Sequence, residues 1–144
     1  MFKVRDNQIA ITLTINAPIR DVWNQLADWE KQGEWMLQTK VWVTSEITQG
    51  VGTKISALTG FHRLSVLDTM EVTNWEPPHL CDVVHTGRVI RGTGRFKLRE
   101  ISTNVTAFDW SEVISAPPII FLLIKPALYF GVRISLARFA RTFR

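Results

Sequence analysis

Cysteine is almost absent. Cys81 stands alone in 144 residues, which excludes an internal disulfide and a thiolate-built metal site and makes a reducing compartment the simple reading. It also has no evident activating base beside it, so a cysteine nucleophile is not indicated. Histidine is scarce too. His62, His79 and His85 form no H-x-x-x-H pair and no acidic cluster stands at ligand spacing, so neither a metal nor any other cofactor is expected. The opening stretch MFKVRDNQIAITLTI lacks an apolar segment followed by a small-residue cleavage site. A cytoplasmic protein is therefore the expectation. The G-x-S-x-G elbow is missing, and residues 50–56, GVGTKIS, lack the spacing and strand-to-helix context of a phosphate loop. Basic residues do not interleave with exposed aromatics in a nucleic-acid pattern, so that partner class is set aside. Repeats, low-complexity tracts and linkers are missing as well. Residues 1–144 read as one domain, with 46% hydrophobic content and enough length to bury a core without staples.

Acids are missing from the end of the chain. Residues 117–144, PPIIFLLIKPALYFGVRISLARFARTFR, hold five bases and no acid, while the other 12 bases face all 13 acids. The stretch reads as one long apolar helix. Cations sit well at a helix C-terminus because of the macrodipole, which is the simpler explanation of this charge. The alternative is peripheral contact with an anionic membrane or an acidic partner. A transmembrane span is disfavoured, because the apolar run 116–132 is short and is broken by Lys125 and Pro126, the latter expected to kink or interrupt the helix.

The remainder reads mostly as strands. Residues 8–15 alternate Ile9, Ile11, Leu13 and Ile15 against Ala10, Thr12 and Thr14. Asn16 is expected to cap a helix with Pro18 in its first turn and Val22, Trp23 and Leu26 as its apolar stripe. Gly33 interrupts the next stretch, so residues 29–36 form a second, short helix. Strands are expected over 41–47 and 53–58 around a hairpin at Gly50 and Gly52, then over 64–75, 79–86, 88–101 and 105–114. A long terminal helix after such a run must bury its apolar face against the sheet. A curved sheet gripping it leaves an interior space suited to a ligand.

That order resembles the START-like, or SRPBCC, superfamily and within it the polyketide cyclase/dehydrase-like group. Its carriers are Ile15-Asn16-Ala17-Pro18 through Val22-Trp23 and Leu26, then Trp29 and Trp35, Gly50-Val51-Gly52-Thr53, VTNWEPP at 72–78 with Leu80, and Gly92-Thr93-Gly94 ahead of Phe96-Lys97-Leu98. The resemblance implies an α+β helix-grip fold: a seven-stranded antiparallel sheet curved around a long C-terminal helix, with two short helices between strands 1 and 2. It also implies an apolar pocket between sheet and helix, but no fixed catalytic set.

Residue roles therefore come from local patterning. In the strand 88–101, Ile90, Gly92, Gly94, Phe96 and Leu98 share one face, where the two glycines mark a bend or room for a ligand, the bend being favoured. Asp68 shares a row with Met70 and Val72, and Glu112 shares one with Phe108, Trp110 and Ile114. A carboxylate in an apolar cavity would have a raised pKa and could hold a ligand hydroxyl or act as a general acid or base. Pairing with Arg63 or Arg88, or an outward turn at a bulge, is the structural alternative. The three histidines are taken as surface residues. Among six tryptophans, Trp35 and Trp110 are the ones expected to touch ligand. Leu123, Ala127 and Gly131 recur at helical spacing and could face the pocket. The expected function is binding or transport of a small hydrophobic molecule, lipid or polyketide-like, without catalysis. The alternatives are a cyclase or dehydratase using Asp68 or Glu112, and a membrane-peripheral lipid-binding protein.

Overall fold

Alternation of apolar and polar residues organises most of the chain into strands. The computed structural model describes residues 8–61, 64–88, 90–115 and 118–143, with side chains for all of these except 61, 64 and 118–124. Its elements are β1 (Gln8–Ile15), α1 (Ile19–Ala27), a 3-10 helix (Trp29–Glu34), β2 (Thr39–Val43), β3 (Lys54–Phe61), β4 (Leu64–Glu76), β5 (Leu80–Thr86), β6 (Arg91–Ser102), β7 (Val105–Ser115) and α2 (Pro118–Arg141). The strands form a seven-stranded sheet in the order β1-β7-β6-β5-β4-β3-β2, with every neighbour antiparallel. β2 to β7 make a meander, and the two helices between β1 and β2 carry the chain from one edge to the other. This is the helix-grip arrangement, α+β.

The inner face of the sheet is paved with aromatic rings. Phe96 stacks on Trp110 with centroids 5.8 Å apart, and Phe108 meets Phe139 of α2 edge-on at 5.8 Å. From the other side, Trp35 packs on Phe139 at 4.9 Å. Val132, Ser135, Leu136 and Phe139 are the buried stripe of α2, at the i, i+3, i+4, i+7 spacing of one helix face. Ser135 ties that stripe to the chain beyond the 3-10 helix. Its hydroxyl accepts the Leu37 N–H at 2.8 Å and donates to the Gly131 carbonyl at 2.7 Å. Under α1, whose buried face is Ile19, Val22, Trp23, Leu26 and Ala27, Trp23 meets Trp75 edge-on at 5.0 Å.

Several expectations shift. Asn16 does not cap α1: the helix starts at Ile19, and the Pro18 carbonyl accepts the N–H groups of Asp21 and Val22. α2 runs unbroken through Pro126; a proline inside a helix costs about 3 kcal/mol or more, which the burial of Val132, Leu136 and Phe139 in the core offsets. β2 lies earlier than expected, since Ser45 turns the chain by donating to the Ile47 carbonyl. The sixth strand begins at Arg91, leaving Ile90 half-buried in the turn before it. The outer face of β6 is partly paired: Arg95 grips Asp82 with two hydrogen bonds of 2.7 and 2.9 Å, and Arg99 approaches Asp109 at 3.5 Å.

Gly92 sets how closely β6 lies against β7. Its φ is +124°, and a Cβ there would stand 1.9 Å from the Val113 carbonyl oxygen, so only glycine lets β6 lie this close to β7. Gly131, in α2, has nothing within 4 Å of a built Cβ. Gly92→Ala should accordingly destabilise the protein by more than about 2 kcal/mol. Gly131→Ala should stabilise it by about 0.5–1 kcal/mol. Urea unfolding of both variants checks the pair, and an unchanged midpoint for Gly92→Ala would contradict the packing described.

Candidate functional site

Three strands bring ionisable side chains onto the inner face. Asp68 lies on β4 two residues from Met70, which pairs with His85 of β5, so Asp68 and His85 are diagonal neighbours on one face. Glu112 lies on β7 and pairs with Gly94 of β6. His85 and Glu112 therefore flank β6, on strands roughly 10 Å apart. An ordinary β6 side chain would stand between them, but position 94 has none. A Cβ there would lie 3.6 Å from Glu112 Oε1, 3.7 Å from His85 Nε2 and 3.1 Å from Val83 Cγ2.

The result is a line of three groups. His85 Nδ1–H donates to Asp68 Oδ1 at 2.8 Å, since a carboxylate can only accept. On its other side Nε2 stands 3.7 Å from Glu112 Oε1, too far for a hydrogen bond. The imidazole is sealed in, with 1% of its side chain exposed, whereas the Asp68 and Glu112 side chains retain 17% and 14%. The two inward acidic side chains amid apolar residues are thus largely but not fully buried. An oxygen about 2.8 Å from both Nε2 and Oε1 would close a triangle on that gap.

Electrostatics follow from this placement. Burial pushes the Glu112 carboxyl up to about 7, with the nearby His85 pulling it down and the Asp68 charge adding to the rise. For His85, burial works against the charged form, but the hydrogen bond to Asp68 and the charges of Asp68 and Glu112 outweigh it and leave the imidazole above its ordinary value. Glu112 and His85 therefore titrate as a coupled pair. Burial and then the Asp82 charge push Cys81 up to about 12, so it stays a thiol. Among the described residues, no group of three or more His, Cys, Asp or Glu side chains is placed to hold a metal ion.

The expected site residues divide. Asp68, Glu112, Met70 and Trp110 come together on the inner face, joined by His85, which was read as a surface residue and is 4% exposed. Residues 81, 83 and 85 form the buried row of β5, and in sequence the two rows, Leu80-Asp82-Val84 and Cys81-Val83-His85, are nearly balanced. The discriminating signal lay one strand on, in Gly92-Thr93-Gly94, where the missing side chains leave room for a neighbour's. Among the described residues Asp68 is paired with His85; of the two arginines considered as its partner, Arg63 lies outside the described residues. Trp35, Phe96 and Phe108 are core, at 1%, 5% and 0% exposure. Ala127 is exposed, because the inward stripe of α2 runs through Val132 and Leu136, one position off the expected row. Gly131 is half-buried, and the Leu123 side chain lies outside the described residues. The Trp110 and Trp35 indole nitrogens and His85 Nε2 are buried without a hydrogen-bond partner among the described residues.

Two surface clefts lie away from this line. One of about 380 Å³ sits between α1, the 3-10 helix and the β2–β3 loop, lined by Asn24, Trp29 and Gln49 among others. Another of about 350 Å³ lies on the outer face of the sheet over Thr93, Arg95 and Ser111. Neither is lined by Asp68, His85 or Glu112.

Solved structures share this architecture. The chain is similar to the Zhui aromatase/cyclase of a Streptomyces species, with a TM-score of 0.76 and 14% identity over 94% of this chain and 92% of that one. A protein from Thermus thermophilus matches with a TM-score of 0.76 and 14% identity, covering 93% of this chain and 94% of its own. The Aha1 dimer from Colwellia psychrerythraea gives 0.71 and 14%, covering 94% and 95%. At these identities the likeness is one of fold. No protein-family model matches the chain, and no curated protein matches its sequence.

Titration of the line should be visible in stability. The folded state holds a proton on Glu112 between the ordinary value of 4.5 and about 7, where the unfolded chain has released it. That contribution is complete below 4.5 and is lost as pH rises to about 7. His85, raised above 6.5, loses its own contribution in the same direction as pH climbs through its folded value. Stability should thus fall by an order of 1–3 kcal/mol between about pH 5 and about pH 8. Glu112→Gln should flatten that slope in urea titrations; an equal slope in the variant would remove Glu112 as its source.

Proposed function

We propose that the protein binds a small, largely apolar molecule between the concave face of the sheet and α2, with a polar group of that molecule at the Asp68–His85–Glu112 line. One observation carries this reading: two carboxylates and an imidazole stand on the inner face of an otherwise apolar grip, with the Asp68 and Glu112 side chains largely but not fully buried. Apolar side chains would fill this face without the cost of burying ionisable groups, whereas a few convergent polar groups on an apolar face suit the polar end of a ligand. Lipids and polyketide-like molecules fit the description, and the fold is shared with an aromatase/cyclase.

A second reading rests on Glu112. A carboxyl near 7, beside an imidazole held by a second carboxylate, is suited to give and take a proton at neutral pH. A cyclase- or dehydratase-type reaction on the bound molecule would use it so, with Asp68 holding the tautomer of His85.

Native mass spectrometry followed by denaturing extraction should find an apolar passenger, one per chain, and protein stripped of it should take up the neutral dye phenylnaphthylamine. Glu112→Gln should weaken binding by up to about tenfold if the group only orients the ligand. If it transfers a proton, turnover of the identified passenger should fall by about 10²–10⁴ with binding little changed. A folded protein that carries nothing and takes up no dye would end the binding reading.

A further inference from the structure

The outward face of α2 is apolar where a solvated helix would be polar. Phe130 is 60% exposed and Ile134, one turn on, is 45% exposed. Pro126, Ala127 and Ala137 are exposed along the same line. This face cannot turn inward, because Val132, Leu136 and Phe139 on the opposite side are fixed in the core. Tyr129 stands edge-on to Phe130 at 5.6 Å and accepts a hydrogen bond from the Arg133 guanidinium at 3.1 Å, which fixes that arginine beside the exposed ring. Arg133 and Arg141 are both exposed on this side, and residues 117–144 contain no acid at all.

Charge decides what covers such a face. A second copy meeting it about a two-fold axis would set Arg133 and Arg141 of each helix against the same residues of the other, with no acid on either helix to offset them. An anionic lipid surface offers both complements at once. Its acyl boundary accepts Phe130 and Ile134, and its phosphates accept the arginines, whose long stems can lie along apolar surface. No described helix is long and apolar enough to cross a membrane, so the contact is one of lying on the surface. We propose that the outer face of α2 docks this protein on an anionic membrane, with Phe130 and Ile134 entering the headgroup–acyl boundary and Arg133 and Arg141 meeting lipid phosphates. The proposal concerns the outside of the grip and stands whether or not the interior is occupied.

Sedimentation with phosphatidylcholine vesicles, with and without phosphatidylglycerol, tests it on the full chain. Wild type should bind the anionic vesicles at low salt about tenfold more tightly than the neutral ones. Salt at about 1 M should erase the difference. Phe130→Ser with Ile134→Ser, both at exposed positions and checked for folding by circular dichroism, should weaken binding by about tenfold or more. Arg133→Glu with Arg141→Glu should lose the preference for anionic lipid and leave the weak neutral binding unchanged. Absence of vesicle binding, or equal binding by the serine variant, would overturn the proposal. So would a solution dimer that the serine variant dissolves, because the face would then be covered by a second copy.

Discussion

The interior of this grip is organised around a side chain that is not there. His85 and Glu112 belong to strands on either side of β6 and approach to 3.7 Å across Gly94, where a Cβ would make ordinary contacts of 3.6 and 3.7 Å with them and a tight one of 3.1 Å with Val83, and where a longer side chain would stand between them. Two residues earlier, Gly92 takes a backbone angle and a closeness to β7 that a Cβ would forbid. The register of β6 on β7 runs regularly through both glycines, and the space over Gly94 is bordered by Val83, His85 and Glu112.

The line Asp68–His85–Glu112 is held unevenly, and the unevenness gives it chemistry. Asp68 is within hydrogen-bond distance of the imidazole, whereas Glu112 is not. A fully satisfied trio would be a rigid structural network. Here the Nε2 edge and a carboxyl near neutrality face a gap suited to a donor or acceptor from elsewhere. The aromatic layer of Phe96, Phe108, Trp110 and Phe139 lies beside this line and closes the core at the other end of the concave face. Packing and polarity are thus separated along the same strands.

α2 carries that separation to the outside. Its C-terminal half is gripped by Trp35 and Phe108 through Phe139, and Ser135 locks its rotation. Because rotation is fixed, the residues left outward are fixed too, and they include Phe130 and Ile134. A helix apolar nearly all round cannot bury every face against one sheet. Its composition therefore leaves apolar residues on the solvent side.

Local patterning was enough for the element order. Period-two alternation marked β1 and β4, the Gly50–Gly52 pair marked a hairpin, and the long apolar terminal run marked α2; these depend on neighbours along the chain. Boundaries moved where a single contact decided them, as at Ser45 and Pro18. Asp68 and Glu112 could be placed on inward rows, but their common partner could not be named, because each row of β5 mixes apolar residues with one ionisable group, Asp82 or His85, and alternation alone does not say which face is inner. The face of α2 was likewise undetermined, since an almost uniformly apolar helix has no stripe to read. The sequence by itself determined the strands, the helices and the rows on which ionisable groups stand. Only tertiary structure decided that His85 joins the two carboxylates, that Trp35 belongs to the core and that Phe130 faces out, because each depends on register and rotation between elements distant in the chain.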